Sequence, residues 1–165
     1  MKNKIRNCKD IGVNLQRIMK RLMQNDNLIK LLYYTDKDPL SNENLTEEQK
    51  ESEIFEKLIK IVPRVGPKET ASSIIALRVE TGKKNQDNSE FKDVLISVEI
   101  FVPLTQWIIK GTNLRPFAIL GEIEESLDGK MIEGLGKMSG GDFELNFLTE
   151  EISSYKQEFI ITSYD

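Results

Sequence analysis

The chain has no histidine, one cysteine (Cys8) and one tryptophan (Trp107). Without histidine it lacks the usual general base, the commonest metal ligand and the side chain that titrates near neutral pH. A single cysteine excludes a disulfide framework and a thiolate metal cluster. With no histidine to pair with, Cys8 is a poor candidate for a catalytic thiol. No apolar run approaches the roughly 20 residues that a membrane-spanning helix needs. Residues 1–9 are basic, but no apolar stretch follows them, which argues against a secretory signal. The net charge of −4 counts against a general nucleic-acid binder.

What remains is a chain long enough for one domain with its own core. Its organising stretch is 91–127. Val94, Ile96, Val98, Ile100 and Val102 alternate with Asp93, Leu95, Ser97, Glu99 and Phe101, so a long strand with one fully apolar face is expected. Pro103 ends or bends it. After Trp107, Ile108 and Ile109 and a turn at 110–113, a helix is expected over 114–127. Pro116, Leu120, Ile123 and Leu127 form its stripe, and Gly129 is its left-handed C-terminal cap. This helix is the natural cover for the strand.

Ahead of that unit the spacing predicts helices over 10–24, from about 26 to 33, and over 47–59. The first carries Ile11, Leu15, Ile18, Met19, Leu22 and Met23 on one face and Lys9, Arg17, Lys20 and Arg21 elsewhere. That basic face reads either as solvated surface or as a phosphate or membrane contact. Thr46 and Gln49 fit a capping box for the third helix. A linker is expected at 64–71 and a strand at 73–81. The apolar-free stretch 82–90 reads as a long flexible loop, either tolerated surface or a docking element, with Lys83, Lys84 and Asn85 as candidate contacts. Later, 131–138 reads as irregular or strand-like, 139–142 as a turn, 143–147 as a strand, 149–154 as a connection and 155–164 as a last strand. The short stretch 61–62 or that last strand is a candidate sheet edge. The expected fold class is α+β: a four- to five-stranded, mostly antiparallel sheet packed on one helix, with helices in residues 1–60 and the sheet-and-helix core in 72–165 of a single domain.

No constellation reads as an active site, a metal site or a cofactor site. The glycines from Gly134 to Gly141 lack the phosphate-loop spacing and open no helix. Glu122 and Glu125 share a helix face but have no second carboxylate motif to work with.

Several local patterns recur together. They are Leu31–Tyr34 with Asp38, Pro39 and Leu40, then Val94–Pro103 with Trp107, then Asn113, Leu114, Arg115 and Pro116 leading to Ile119–Ile123 and Leu127. Gly134 and Gly136 precede the final hairpin. From Asn27 onward the chain resembles the neck proteins of tailed bacteriophages, especially the tail-terminator and head–tail joining proteins. The resemblance implies a non-enzymatic virion protein of the neck, made in the host cytoplasm. It implies a homo-hexameric ring that caps the tail tube, joins it to the head and lets DNA pass without binding it specifically. The implied partners are the chain itself, the tail-tube protein and a head-completion or connector protein, with no cofactor and no membrane. The family has no catalytic residues to carry over. Trp107 and Arg115 match its pattern, are read first as fold-holding, and join Tyr155 and Tyr164 as candidate interface residues. A head-completion or connector adaptor under the portal, or a monomeric protein-binding adaptor, are the alternatives.

Overall fold

Five side chains of one strand, Val94, Ile96, Val98, Ile100 and Val102, are almost completely removed from water. They lie on the central part of a six-stranded sheet in the computed structural model, which describes residues 5, 7–62, 71–87, 89–111, 113–133 and 135–162. The expected linker at 64–71, all but Ala71, lies outside the described residues. So do Thr112 of the expected turn, Gly134 and Tyr164.

The elements are α1 (Lys9–Met23), α2 (Asp26–Tyr33), α3 (Glu47–Gln49), β1 (Ile59–Ile61), β2 (Ile74–Lys84), β3 (Lys92–Pro103), α4 (Arg115–Leu127), β4 (Met131–Ile132), β5 (Gly136–Leu148) and β6 (Ile152–Thr162). The strand order is β1-β2-β3-β6-β5-β4, with β1 parallel to β2 and every other pair antiparallel. The fold is α+β, as expected, with six strands rather than four or five. The short strands β1 and β4 fall where the sequence offered a short candidate edge at 61–62 and an irregular or strand-like stretch at 131–138, with too little alternation in either to fix the count.

The apolar face of β3 is continued by Ile75 and Leu77 of β2 and by Phe159 and Ile161 of β6. Two helices cover it rather than one. α4 packs on β3 and β5, and α1 packs on β1, β2, β4 and α4. Burying the α1 stripe of Leu15, Ile18, Met19 and Leu22 is what joins the front of the chain to the sheet. The caps follow local chemistry. Asn25 caps α2 by accepting from the Leu28 N–H at 3.0 Å. Thr46 and Gln49 make both bonds of the capping box. Leu114 occupies the N-cap position of α4, while Asn113 accepts from the Leu114 N–H. Gly129 is left-handed, with φ 67, as expected after α4, but its N–H donates to the Met138 carbonyl of β5 rather than back into the helix.

Four expectations need correction. The helix expected over 47–59 is one α turn followed by a π-helical turn, Lys50–Ile54. The loop expected at 82–90 is shorter, because Gly82, Lys83 and Lys84 pair with Val94, Asp93 and Lys92 and extend the hairpin. Backbone hydrogen bonding there needs no apolar side chain. The turn expected at 139–142 is part of β5. Gly140 follows β6 so closely that a Cβ would strike the Glu158 carbonyl, which is why glycine stands in a strand. The last strand is not an edge: β6 lies between β3 and β5. The other candidate edge, at 61–62, does fall at the margin of the sheet, where β1 ends.

Truncating Ile96 of β3 or Leu120 of α4 to Ala leaves a cavity at the sheet–helix contact. Each is expected to lose about 2–5 kcal/mol of stability, measured by equilibrium denaturation. A loss at both sites near the roughly 0.5 kcal/mol of surface changes would show that this layer does not carry the core.

Candidate interaction surface

The side of β5 away from β6 meets β4 only at Gly136 and Lys137. Among the described residues no strand pairs with it from Met138 to Leu148. Phe143, Leu145, Phe147 and Leu148 stand along this free edge, each 50 to 61% exposed. Their partners on β6 are Gln157, Tyr155, Ser154 and Ser153. Directly paired residues share a face, so Phe143, Leu145 and Leu148 lie on the helix side and Phe147 on the outer side. The switch comes from a register shift between Leu145 and Phe147; a second lies between Gly140 and Asp142.

An aromatic cluster anchors the helix-side residues. Tyr155 lies 5.3 Å from Phe117, 6.2 Å from Phe143 and 6.3 Å from Trp107 between ring centroids, and Phe117 lies 6.0 Å from Phe143. The Phe117–Phe143 and Phe143–Tyr155 pairs meet edge to face, the arrangement favoured by ring quadrupoles. The cluster runs from the first turn of α4 across β6 to β5 and leaves Phe117 and Phe143 partly open to solvent.

Behind the cluster sits Arg115, fully buried at the start of α4. Its guanidinium donates to four backbone carbonyls: Gln106 at 2.9 Å, Leu31 at 2.7 Å, Tyr34 at 2.8 Å and Asp36 at 2.5 Å. Burial pushes its pKa down, yet a guanidinium stays charged at any pH a protein meets. The Arg115 N–H also bonds the Trp107 carbonyl at 2.8 Å. The structure thus brings Trp107, Arg115 and Tyr155 into one region, with Arg115 inside the fold and only the aromatic rings near the surface. It places Lys83, Lys84 and Asn85 at the opposite end of the sheet. Lys84 pairs with Lys92, whereas Tyr155 pairs with Ile100, a separation of about 26 Å along β3. Asn85 is buried and donates to Asp93. Sequence reasoning missed Phe117, Phe143, Leu145, Phe147 and Leu148. The alternation in 143–147 was visible, but alternation does not say whether a face will be covered.

The outer face of the sheet is polar and tightly bonded. Glu99 is buried; its Oε1 accepts from Ser154 Oγ and Asn146 Nδ2, both at 2.6 Å, and its Oε2 meets Arg78 at 2.6 Å. Ser97 donates to Glu80 at 2.6 Å, and Arg78 bonds both Ser97 and Glu80. The Ser97 hydroxyl, then the Arg78 guanidinium, hold the Glu80 carboxyl below its usual range. Burial works to lower Arg78, but the carboxylates of Glu80 and Glu99 outweigh it and hold it above its usual value. Among the described residues, no group of three or more acidic, cysteine or histidine side chains is arranged to hold a metal ion, and no helix is long and apolar enough to cross a membrane.

Two outcomes follow from these bonds. Arg115→Ala orphans four carbonyls inside the protein and is expected to lose on the order of 3–5 kcal/mol in a denaturant titration. A surface-sized loss would show that the guanidinium does not hold the fold. The depressed Glu80 carboxyl favours its ionised form in the folded state. Its stabilisation is therefore complete above the unfolded pKa and is lost as pH falls through the lower folded value. Wild type is expected to exceed Glu80→Gln in stability at neutral pH, with the gap closing in acid. Urea midpoints across that range measure it, and a gap independent of pH would exclude the carboxylate as its source.

No curated protein matches the chain. A family model, YomW, matches residues 25–155, from the cap of α2 to Tyr155 in the aromatic cluster. That span includes α4, Arg115 and the exposed part of β5, and on this match the chain belongs to the YomW family.

Proposed function

We propose that the protein is a structural component of the phage neck. In this reading it is a tail terminator that assembles into a homo-hexameric ring, caps the tail tube and joins it to the head. The observation that supports this reading best is the free edge of β5. Four large apolar side chains in a row on an edge strand are a liability in a monomer and an asset in an assembly. A ring built head to tail joins two different patches on each subunit, and it closes when the rotation between neighbours allows. The −4 charge of each subunit suits a conduit that DNA crosses without sticking. The buried Arg115 clasp and the aromatic cluster give the exposed strand a rigid base.

Imaging of the assembled neck, with mass spectrometry of purified virions, tests this reading. A ring of this protein between the tail tube and the head adaptor is the expected result. Absence of the protein from purified virions would overturn the assignment.

A further inference from the structure

The net charge of −4 joins two unlike parts. Residues 1–24 carry seven lysines and arginines and one acid, Asp10, a net of +6, so the rest of the chain carries −10. α1 displays its charge on the side away from the core. Opposite the buried stripe lie Lys9, Val13, Arg17, Lys20 and Gln24, all exposed and on one line of the helix. Among the described residues Lys9, Arg17 and Lys20 meet no carboxylate, whereas Lys50, Arg78, Lys110 and Lys156 each do. The start of this line is fixed in place. Ile5 is buried, and its carbonyl accepts from the Lys92 N–H at 3.1 Å. Lys9 follows four residues later, within about 14 Å of Ile5. Lys84 pairs with Lys92, and both share the helix side of the sheet with Val94. The end of the hairpin thus adds two lysines beside the start of α1.

We infer that this surface, the outer face of α1 continued by Lys84 and Lys92, takes the phosphate backbone of a DNA duplex without reading its sequence. What the face lacks selects the partner. A protein interface needs an apolar core, and the outer line of α1 offers Val13 alone. An interfacial membrane helix buries its apolar side in lipid, but Leu15, Ile18, Met19 and Leu22 already lie in the core. A single strand is held by stacking on aromatic rings, and α1 has none. A duplex backbone needs only cations and polar donors set along a line. From Lys9 to Lys20 that line is about 16 Å long, which spans about five phosphates of one strand. The charge and the geometry stand without the neck reading; the choice of DNA over another duplex rests on it. A few cations and no base contact make a weak, salt-labile contact, which a passing duplex can break.

Fluorescence anisotropy of a short labelled DNA duplex, titrated with the full chain at several salt concentrations, tests the contact. Binding is expected in the micromolar range at about 50 mM salt, with the logarithm of the affinity falling against that of salt at a slope of about −3 to −5. Two double variants, Arg17→Gln with Lys20→Gln and Lys9→Gln with Lys84→Gln, remove exposed charges only. Circular dichroism is expected to show both folded. Each is expected to weaken binding about tenfold and to make the slope shallower by about 2. Lys37→Gln with Lys110→Gln removes the same charge beside the Arg115 clasp, at the opposite end of the sheet, and is expected to leave the slope unchanged. No binding at about 100 μM protein and low salt overturns the contact. So does a slope unchanged in either of the first two variants, or an equal fall in the third. Tighter binding to a single strand of the same length or to anionic vesicles, lost in the first two variants, overturns the duplex as the occupant. Duplex binding by a protein absent from purified virions would sink the neck reading and leave this contact standing.

Discussion

A buried guanidinium is the constraint on which much of this structure depends. Arg115 cannot sit away from water unless its donors are satisfied, and the chain satisfies them with carbonyls from three places. Leu31 and Tyr34 come from the end of α2, Asp36 from the loop after it and Gln106 from the turn after β3. The stretch 31–36 and Gln106 are distant from each other in sequence, and one side chain sets their mutual position. The same residue opens α4, so the helix covering β3 is tied to the N-terminal helices at its first turn. Its N–H holds the Trp107 carbonyl, which places the tryptophan ring against Tyr155. The aromatic cluster and the β5 strip beyond it inherit their position from this arrangement.

The two faces of the sheet are stabilised by different physics. The helix side is hydrophobic burial, dense in β-branched and long aliphatic residues, and it is non-directional. The outer side depends on hydrogen bonds and charge. Glu99 is shielded by neighbouring side chains, and it is tolerable there because two donors and a guanidinium meet its carboxylate. Lys156 extends this network by pairing with Glu144 and Glu158, whose hydrogen bonds raise its pKa. The network links β2, β3, β6 and β5 across their strands. It stiffens the sheet at the point where β5 leaves the cover of the helices.

Much of the fold was legible in the chain itself. The alternation from Val94 to Val102 identified the central strand, and the stripe from Pro116 to Leu127 identified its helix. The capping box at Thr46 was local chemistry that no distant contact had to supply, and the left-handed turn at Gly129 was legible from its glycine, though the partner of its N–H in β5 was not. The hairpin arm at Gly82, Lys83 and Lys84 was not legible, because those residues are held by backbone bonds to β3 rather than by apolar side chains. Nor was the strand through Ser139, Gly140, Gly141 and Asp142, where turn-like residues serve a close approach of two strands. Arg115 and Trp107 could be singled out and read first as fold-holding. The carbonyls that make Arg115 so could not.

The sequence by itself determined the class of the protein, the central strand-to-helix unit, and the residue types that argue against histidine- or thiolate-based chemistry. These follow from period, composition and local capping, which act over a few residues. Only the tertiary structure decided which strand lies at the margin of the sheet. It seated β6 between β3 and β5, left β5 with one free side, and stopped the helix layer short of Phe143 and Leu145. The physical reason is that alternation specifies a face without specifying its cover. Whether an apolar side chain is core or surface depends on which distant segment packs over it. In this chain that cover is set by the length of α4 and the single clasp at its start.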